Sequence, residues 1–342
     1  MTFPLMKQMK AQVAMTEILT KEIFEEKIRN ASSICIIGHV SPDGDCAGSV
    51  LGAYNYIKNM RGDDMDVVPY LEELNEKFSF LSGYDAVRSE RDDRRYDLAV
   101  VCDCADPDRM GRFLKLFKEA KDSAVIDHHI TNQGFGAHSI VEGTASSASE
   151  VLFGLMDEAY FDKAIAECIY TGIVHDTGVF RHSSTHKSTM EIAGKCIEKG
   201  IDFGSIIEES FFAMTFEQKK LLGYLLSNLR QEYGGKLVYS YISMEERKRL
   251  GAEKMDMDGM IDNIRTTSGA MAAVYMYGTA DGRVKTSLRS NTDDIDVSVI
   301  AAKYGGGGHK RAAGCFMSLD MENNIREISE EFGIQLEKAG EH

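Results

Sequence analysis

The sequence lacks the features that mark membrane proteins, secreted proteins and proteins built around disulfides or cysteine-bound zinc. No stretch approaches the roughly 20 apolar residues that a membrane-spanning helix needs, and residues 1–15 show no apolar run or small-residue cleavage site of a secretory signal. Its seven cysteines form no CxxC pair, which disfavours a cysteine-based zinc site and a disulfide framework. We therefore expect a cytoplasmic protein with reduced thiols and no membrane association.

Positive charge is also scarce. Lys and Arg number 39 against 54 Asp and Glu, which gives a formal net charge of −15 at pH 7. Such a protein repels a long polyanion unless a local basic patch compensates, so long duplex DNA is not expected as a partner. A small phosphate ester is compatible with this charge, because metal ions and a few cationic side chains can hold it.

The 342 residues, 43% of them apolar, suffice for two hydrophobic cores. In the first half, short β-branched runs alternate with helical stretches, which is typical of a doubly wound, mainly parallel α/β sheet with helices on both faces. The predicted strands are Ser33–Ile37, Asp66–Tyr70, Leu98–Cys102 and 124–126, and the predicted helices are 47–60, 163–174 and 186–199.

The second half predicts a smaller α+β domain. A charged helical stretch over 203–230 leads to a strand at Leu237–Ile242, and Ser243 with Glu246 forms a capping box for the next helix. Asp281 and Gly282 predict a hairpin between strands 272–277 and 284–289. Helices near 297–304 and 321–338 complete this domain. We expect domain bounds of 16–200 and 233–342, a linker over 201–232, and an active-site cleft between the two domains.

Carboxylates and imidazoles gather in four short groups, three of which directly follow a predicted strand. The groups are GHVSPDGD at 38–45, VCDCAD at 101–106, VIDHH at 125–129 and HDTG at 175–178. The carboxyl ends of parallel strands share one edge of a sheet, so these side chains should converge. This ligand mixture suits Mn²⁺, and less exclusively Mg²⁺ or Zn²⁺. With Asp103 as a bridge, two ions could activate a water for phosphoester hydrolysis.

Each group taken alone also has an ordinary structural explanation. PDGD forms turns, a single Asp at a strand end caps helices, and DTG is an ordinary helix end. The glycine run at 305–308 could act as an anion-binding nest or simply end a helix. Arg109 and Arg112 are assigned to a solvated helix face, with phosphate contact as the alternative. The four groups in this order favour a metal site over unrelated turns and caps.

The motifs GHVSPDGDCAGS, VCDCAD, VIDHH and GIVHDTGVF resemble the four sequential motifs of the DHH phosphoesterase family, over about residues 33–182. The later segments SLRS at 287–290, KYGGGGH at 303–309 and AAG at 312–314 resemble its type-1 DHH-associated domain. A chain with these two parts resembles the oligoribonuclease group called nanoRNases. Members of that group degrade very short RNAs, and many also dephosphorylate 3′-phosphoadenosine 5′-phosphate.

The resemblance implies a role for each matching residue. Six residues would bind two divalent cations, with Mn²⁺ preferred: His39, Asp43, Asp45, Asp103, His128 and Asp176. Asp103 would bridge the ions, His129 would act at the scissile phosphate, and Asp127 would orient an imidazole. The second domain would hold the rest of the substrate through five residues: Arg289, Gly306, Gly307, Gly308 and His309.

The resulting hypothesis is hydrolysis of short oligoribonucleotides to 5′-mononucleotides, together with conversion of 3′-phosphoadenosine 5′-phosphate to AMP. Two enzymatic alternatives are a phosphodiesterase for cyclic di-AMP or linear pApA and a RecJ-like single-strand exonuclease. An inorganic pyrophosphatase is disfavoured by the glycine run. A catalytically silent nucleotide-binding protein is disfavoured because all six ligands are present. Base rates for oligomers and the family likeness suggest a homodimer.

Overall fold

The computed structural model describes residues 16–252, 257 and 259–340. The chain divides into two compact units whose boundary in the sequence lies between Ala213 and Met214. Across the described ranges, no helix is long and apolar enough to span a membrane. The expectation that residues 1–15 contain no secretory signal lies outside the described residues, and the predicted linker over 201–232 stays a prediction.

The first unit contains a six-stranded parallel sheet in the order β1-β6-β5-β4-β2-β3. Its strands are β1 (Glu17–Ile18), β2 (Ser33–Ile37), β3 (Asp66–Tyr70), β4 (Leu98–Cys102), β5 (Asp122–Asp127) and β6 (His138–Val141). Its helices are α1 (Lys21–Asn30), α2 (Gly44–Arg61), α3 (Leu114–Glu119), α4 (Ala148–Gly154), α5 (Lys163–Asp176), α6 (Lys187–Glu198) and α7 (Phe203–Ile207). The predicted parallel α/β sheet is confirmed.

The central strands are buried on both faces, which explains their nearly unbroken apolar sequences. Along β2, Ile34 and Ile36 belong to one hydrophobic core, whereas Cys35 and Ile37 belong to the core on the opposite face. Polar side chains therefore appear only where these strands end.

Two glycines allow α2 and α5 to pack unusually closely. A Cβ atom on Gly48 would lie 2.4 Å from the carbonyl oxygen of Cys168, and one on Gly172 would lie 2.0 Å from Ser149 Oγ and 2.6 Å from Asp45 Oδ1. This approach brings the middle of α5 against Asp45 in the first turn of α2.

The second unit contains a mixed sheet in the order β11-β12-β10-β9-β8-β7, in which only β8 and β9 pair in parallel. Its strands are β7 (Arg230–Glu232), β8 (Leu237–Ile242), β9 (Ala272–Gly278), β10 (Val284–Ser290), β11 (Gly307–His309) and β12 (Ala312–Met317). Its described helices are α8 (Phe216–Ser227), α9 (Met244–Leu250), α10 (Met260–Arg265), α11 (Val297–Lys303) and α12 (Met321–Gly340). The predicted smaller α+β domain is confirmed.

Local details of the second half follow the sequence with two differences. The hairpin turn forms as predicted, with Gly282 at a φ of 78°. For the predicted capping box, the structure shows the bond from the Glu246 N–H to Ser243 Oγ. The Glu246 side chain instead accepts a hydrogen bond from Arg249 through Oε2. The predicted helical stretch over 203–230 is interrupted by a π-helical turn at Glu208–Phe212 and by extended backbone at Ala213, before Thr215 caps α8.

Gly172→Ala should destabilise the protein by about 1–3 kcal/mol, because the added methyl group has no space between α5, Ser149 and Asp45. Gly194→Ala is the matched control, since Gly194 lies inside α6 with nothing within 4 Å of the added Cβ atom. This control should be neutral or stabilising by up to about 1 kcal/mol. Urea unfolding of both variants measures the difference, and equal stabilities would refute the close-packing argument.

Candidate metal centre

The site residues come from elements that meet at one edge of the parallel sheet. Strands β5, β4 and β2 are neighbours in that order, and polar residues follow each of them. His39 lies just beyond β2, Asp103 directly follows β4, and His128 directly follows β5. Asp45 comes from the start of α2 and Asp176 from the end of α5. The structure thus brings together all six residues for which metal binding was predicted.

Asp103 lies at the centre of this cluster. Its backbone has a φ of 57°, which is uncommon outside glycine, and its N–H donates to the carbonyl of Ile126. The residue is only 3% exposed. Oδ2 lies 3.4 Å from His39 Nε2, and Oδ1 lies 3.7 Å from His128 Nε2. Asp103 Oδ1 is buried without a hydrogen-bond partner among the described residues, and a divalent cation would satisfy it.

His39, Asp43 and Cys46 lie on the Oδ2 side of Asp103. His39 Nε2 is 3.8 Å from Asp43 Oδ1, and the same oxygen of Asp43 caps α2 by accepting the N–H groups of Asp45 and Cys46. Burial opposes ionisation of Asp43, but His39 and the helix N–H groups hold the pKa of its carboxyl below the ordinary value. Burial raises the pKa of Cys46 to about 11, so this residue stays a thiol.

His128, Asp45 and Asp176 lie on the Oδ1 side. His128 Nε2 is 3.1 Å from Asp176 Oδ2 and 3.9 Å from Asp45 Oδ2. The fully buried Asp45 accepts the N–H groups of Ala148 and Ser149 at the start of α4, at 2.6 and 3.0 Å. Burial and the nearby charges of Asp103 and Asp176 raise the pKa of Asp45 well above its ordinary value. A cation among these oxygens would remove that penalty.

His129 differs from the six predicted ligands because a carboxylate already occupies one of its nitrogens. Its Nδ1 lies 2.8 Å from Asp127 Oδ1, and the buried Asp127 also accepts a bond from the Asn132 amide. The hydrogen bond with Asp127 raises the pKa of His129. Asp127 thus orients the imidazole through Nδ1. The side chain of His129 is 37% exposed, so it is accessible to a substrate.

Two supporting residues were given no role in the site by the sequence analysis. Glu150 is buried and accepts hydrogen bonds from Ser146 and Thr189, which anchors the loop whose Ala145 carbonyl lies 3.4 Å from His128 Nδ1. In the same loop, Ser147 caps α4, because its Oγ accepts the N–H of Glu150. The bonds from Ser146 are local, but the bond from Thr189 reaches Glu150 from α6, so no local pattern could have revealed it.

The second residue is His175. Its Nε2 lies 3.1 Å from Ser210 Oγ, and that hydroxyl donates to the carbonyl of Ile206. The Ser210 hydroxyl oxygen therefore accepts the N–H of the His175 imidazole. Burial lowers the pKa of His175 to about 4, so it is neutral. A Cβ atom on Gly44 would lie 2.0 Å from this ring, so the glycine of PDGD is required by packing as well as by turn formation.

The residues predicted to bind substrate lie in the second unit. Arg289 and His309 are each paired with Ala312 of β12, so all three side chains are on one face of the sheet. The Gly306 N–H is already bonded to the carbonyl of Ala301. Gly308 has a φ of 143°, and a Cβ atom there would lie 2.4 Å from Ala312 O. Substrate binding by these residues and the predicted interdomain cleft stay predictions.

A parallel α/β unit with carboxylates and imidazoles clustered at its strand ends, followed by a smaller α+β unit, is a metal-dependent hydrolase of phosphoester bonds. The chain belongs to the DHH family. The family model for the DHH family, N-terminal domain, matches residues 33–173, and the model for the DHHA1 domain matches residues 234–337. The family resemblance of the motifs is thereby confirmed.

Named relatives span nearly the whole chain. The bifunctional oligoribonuclease and PAP phosphatase NrnA of Thermus thermophilus is 28% identical over 90% of this chain and 91% of its own. The Bacillus subtilis protein of the same name is 27% identical over 84% and 91%. In the solved structures, an exopolyphosphatase-related protein from Bacteroides fragilis superposes with a TM-score of 0.83 and 25% identity, over 93% of this chain and 95% of that one.

Asp103→Asn should abolish both Mn²⁺ binding and turnover while leaving the fold intact. Asparagine tolerates the left-handed φ of this position, and the substitution removes one charge from a group of mutually repelling carboxylates. The metal-free variant should therefore be at least as stable as the parent. Asp108→Asn, on the exposed turn nearby, is the control and should change neither property. Calorimetric Mn²⁺ titration and thermal unfolding test this, and retained activity would refute a bridging Asp103.

Metal binding should release protons at pH 8. Burial lowers the pKa of His128, but Asp176 and Asp45 outweigh it and raise the pKa to about 10. The imidazole is then protonated at pH 8 in the metal-free protein and must lose its proton to bind a cation. In the metal-free protein, the charged His128 imidazole stabilises the fold. This stabilisation is fully present below the pKa of His128 in the unfolded chain and is lost as the pH rises through about 10.

Calorimetry in buffers of different ionisation enthalpy counts the released protons. His128→Gln should release about one proton fewer. The same count in both proteins would show that His128 Nε2 does not bind the metal.

Proposed function

We propose that the protein hydrolyses short oligoribonucleotides to 5′-mononucleotides and 3′-phosphoadenosine 5′-phosphate to AMP, using two divalent cations, with Mn²⁺ as the metal. The observation that carries this proposal is the position of Asp103, whose two oxygens face two separate groups of ligand atoms. His39 and Asp43 would hold one cation, and Asp45, His128 and Asp176 the other, with Asp103 shared. The names of the relatives support the substrate class.

The chain's own residues have distinct tasks in this reaction. The bound cations would supply Lewis acidity to the phosphoryl oxygens and lower the pKa of the attacking water. His129, protonated and oriented by Asp127, would donate its Nε2 proton to the departing 3′ oxygen as the bond from phosphorus to that oxygen breaks. The water oxygen would become part of the new 5′-phosphate or, for a terminal 3′-phosphate, of the released inorganic phosphate. The proton lost by the water would pass to solvent, and His129 would take up a proton from solvent before the next cycle.

The second unit would hold the remainder of the substrate. Arg289 and His309 lie on one face of the sheet through their pairing with Ala312, beside the glycine strand β11. Because the Gly306 N–H is occupied, we assign the phosphate or base contact to Gly307 and Gly308. We also propose a reducing, cytoplasmic setting, since all seven cysteines are free and buried.

The test is product analysis with purified protein and Mn²⁺ on five substrates: an RNA dinucleotide, a 24-mer RNA, 3′-phosphoadenosine 5′-phosphate, cyclic di-AMP and pyrophosphate. We expect fast cleavage of the dinucleotide to mononucleotides, release of phosphate from the third substrate and slow cleavage of the 24-mer. Asp103→Asn is the inactive control. A preference for cyclic di-AMP or the 24-mer would overturn the substrate assignment while leaving the metal site in place.

A further inference from the structure

Arg109 lies beside the metal centre and was first assigned to a solvated helix face. It belongs to the turn Pro107–Phe113, which begins where Asp106 Oδ1 accepts the N–H groups of Asp108 and Arg109. The Arg109 carbonyl accepts the N–H of Val40 at 2.8 Å. The backbone of Arg109 is thus fixed against the residue that follows His39.

The guanidinium of Arg109 has no carboxylate partner among the described residues. Its Nη2 lies 3.2 Å from His39 Nδ1, and the residue is exposed. Arg112, on the same turn, is different, since it pairs with Glu72 at 3.0 Å and with Glu90 at 2.6 Å. Two neighbouring arginines therefore have opposite electrostatic surroundings, and only Arg112 behaves as a surface ion pair.

The apparent bond between Arg109 and His39 cannot persist once His39 binds a cation. His39 Nδ1 also lies 2.8 Å from the carbonyl oxygen of Val40, which only accepts. When Nε2 faces a metal, Nδ1 must carry the proton and donate it to that carbonyl. The protonated Nδ1 then has no lone pair that could accept a hydrogen bond from the Arg109 N–H groups. With a cation bound to His39, the guanidinium of Arg109 would lie beside a metal ligand and would have no hydrogen-bond acceptor there.

We propose that Arg109 binds the non-bridging oxygens of the scissile phosphoryl group and is a catalytic residue of this site. The inference rests on the proposed phosphoester hydrolysis. A guanidinium presents paired N–H donors that match two phosphoryl oxygens. Because its nearest imidazole belongs to the metal cluster, the phosphate within reach is the one at the reacting centre. The contact strengthens as negative charge builds on those oxygens, so it acts mainly on kcat.

The test compares Arg109→Ala and Arg109→Lys with Arg112→Ala in the full-length, Mn²⁺-loaded protein. Bis(p-nitrophenyl) phosphate is the probe, because it contains a single phosphate and requires only phosphodiesterase chemistry. We expect kcat to fall about 10²–10³-fold in Arg109→Ala, with partial recovery in Arg109→Lys. Arg112→Ala should stay close to the parent. Mn²⁺ affinity, measured by calorimetry, should be the same in all four proteins.

Three results would overturn the inference. Arg109→Ala could match Arg112→Ala in kcat. Its defect could disappear at saturating Mn²⁺, which would show that Arg109 acts through His39. The defect could also be confined to 3′-phosphoadenosine 5′-phosphate, which would place Arg109 on the phosphate that is not cleaved. Failure of the parent protein to cleave RNA dinucleotides would instead refute the proposed substrate and leave this comparison intact.

Discussion

Mutual repulsion among buried carboxylates is the constraint on which the first unit depends. Asp45, Asp103 and Asp176 lie within a few ångströms of one imidazole, that of His128, and full burial makes the charge of Asp45 unfavourable. Within the chain, this repulsion is relieved by imidazoles and by the N–H groups at the start of α4. Parallel strands deliver the carboxylates to one edge, and glycines let α5 approach α2 closely enough to complete the set. The arrangement is therefore preorganised for cations.

The two oxygens of Asp103 also divide the centre into two flanks with different accessory groups. On the Oδ1 flank, His129 Nδ1 lies 3.6 Å from Asp103 and is held by Asp127. On the Oδ2 flank, His39 lies beside Arg109, whose charge is permanent. An imidazole and a permanently charged guanidinium on opposite sides suit a reaction in which one oxygen leaves while charge accumulates on others.

The sequence predicted those parts of the structure that are encoded locally. Strands β2, β3 and β4 were located from their unbroken apolar runs. Three of the four groups of candidate ligands directly follow a predicted strand, and the role of each residue was implied by the family resemblance. The missed contacts join distant positions: Arg109 to His39 across 70 residues, Glu150 to Thr189 across 39, and His175 to Ser210 across 35. No spacing rule can show such pairs, because tertiary packing creates them. The interruption of the 203–230 helix has the same origin, since its π-turn carries the partner of His175.

The register of β10, β12 and β11 limits how this protein can change in length during evolution. Arg289 and His309 share a face only because both are paired with Ala312, and successive residues of a strand point to opposite faces. A single inserted residue within β12 would reverse the facing of the β12 residues beyond it and disrupt this shared register. The Asp281–Gly282 turn has room for extra residues, because nothing lies within 4 Å of a Cβ atom added to Gly282. Alignments of distant relatives should therefore place their gaps there and keep the strands free of them.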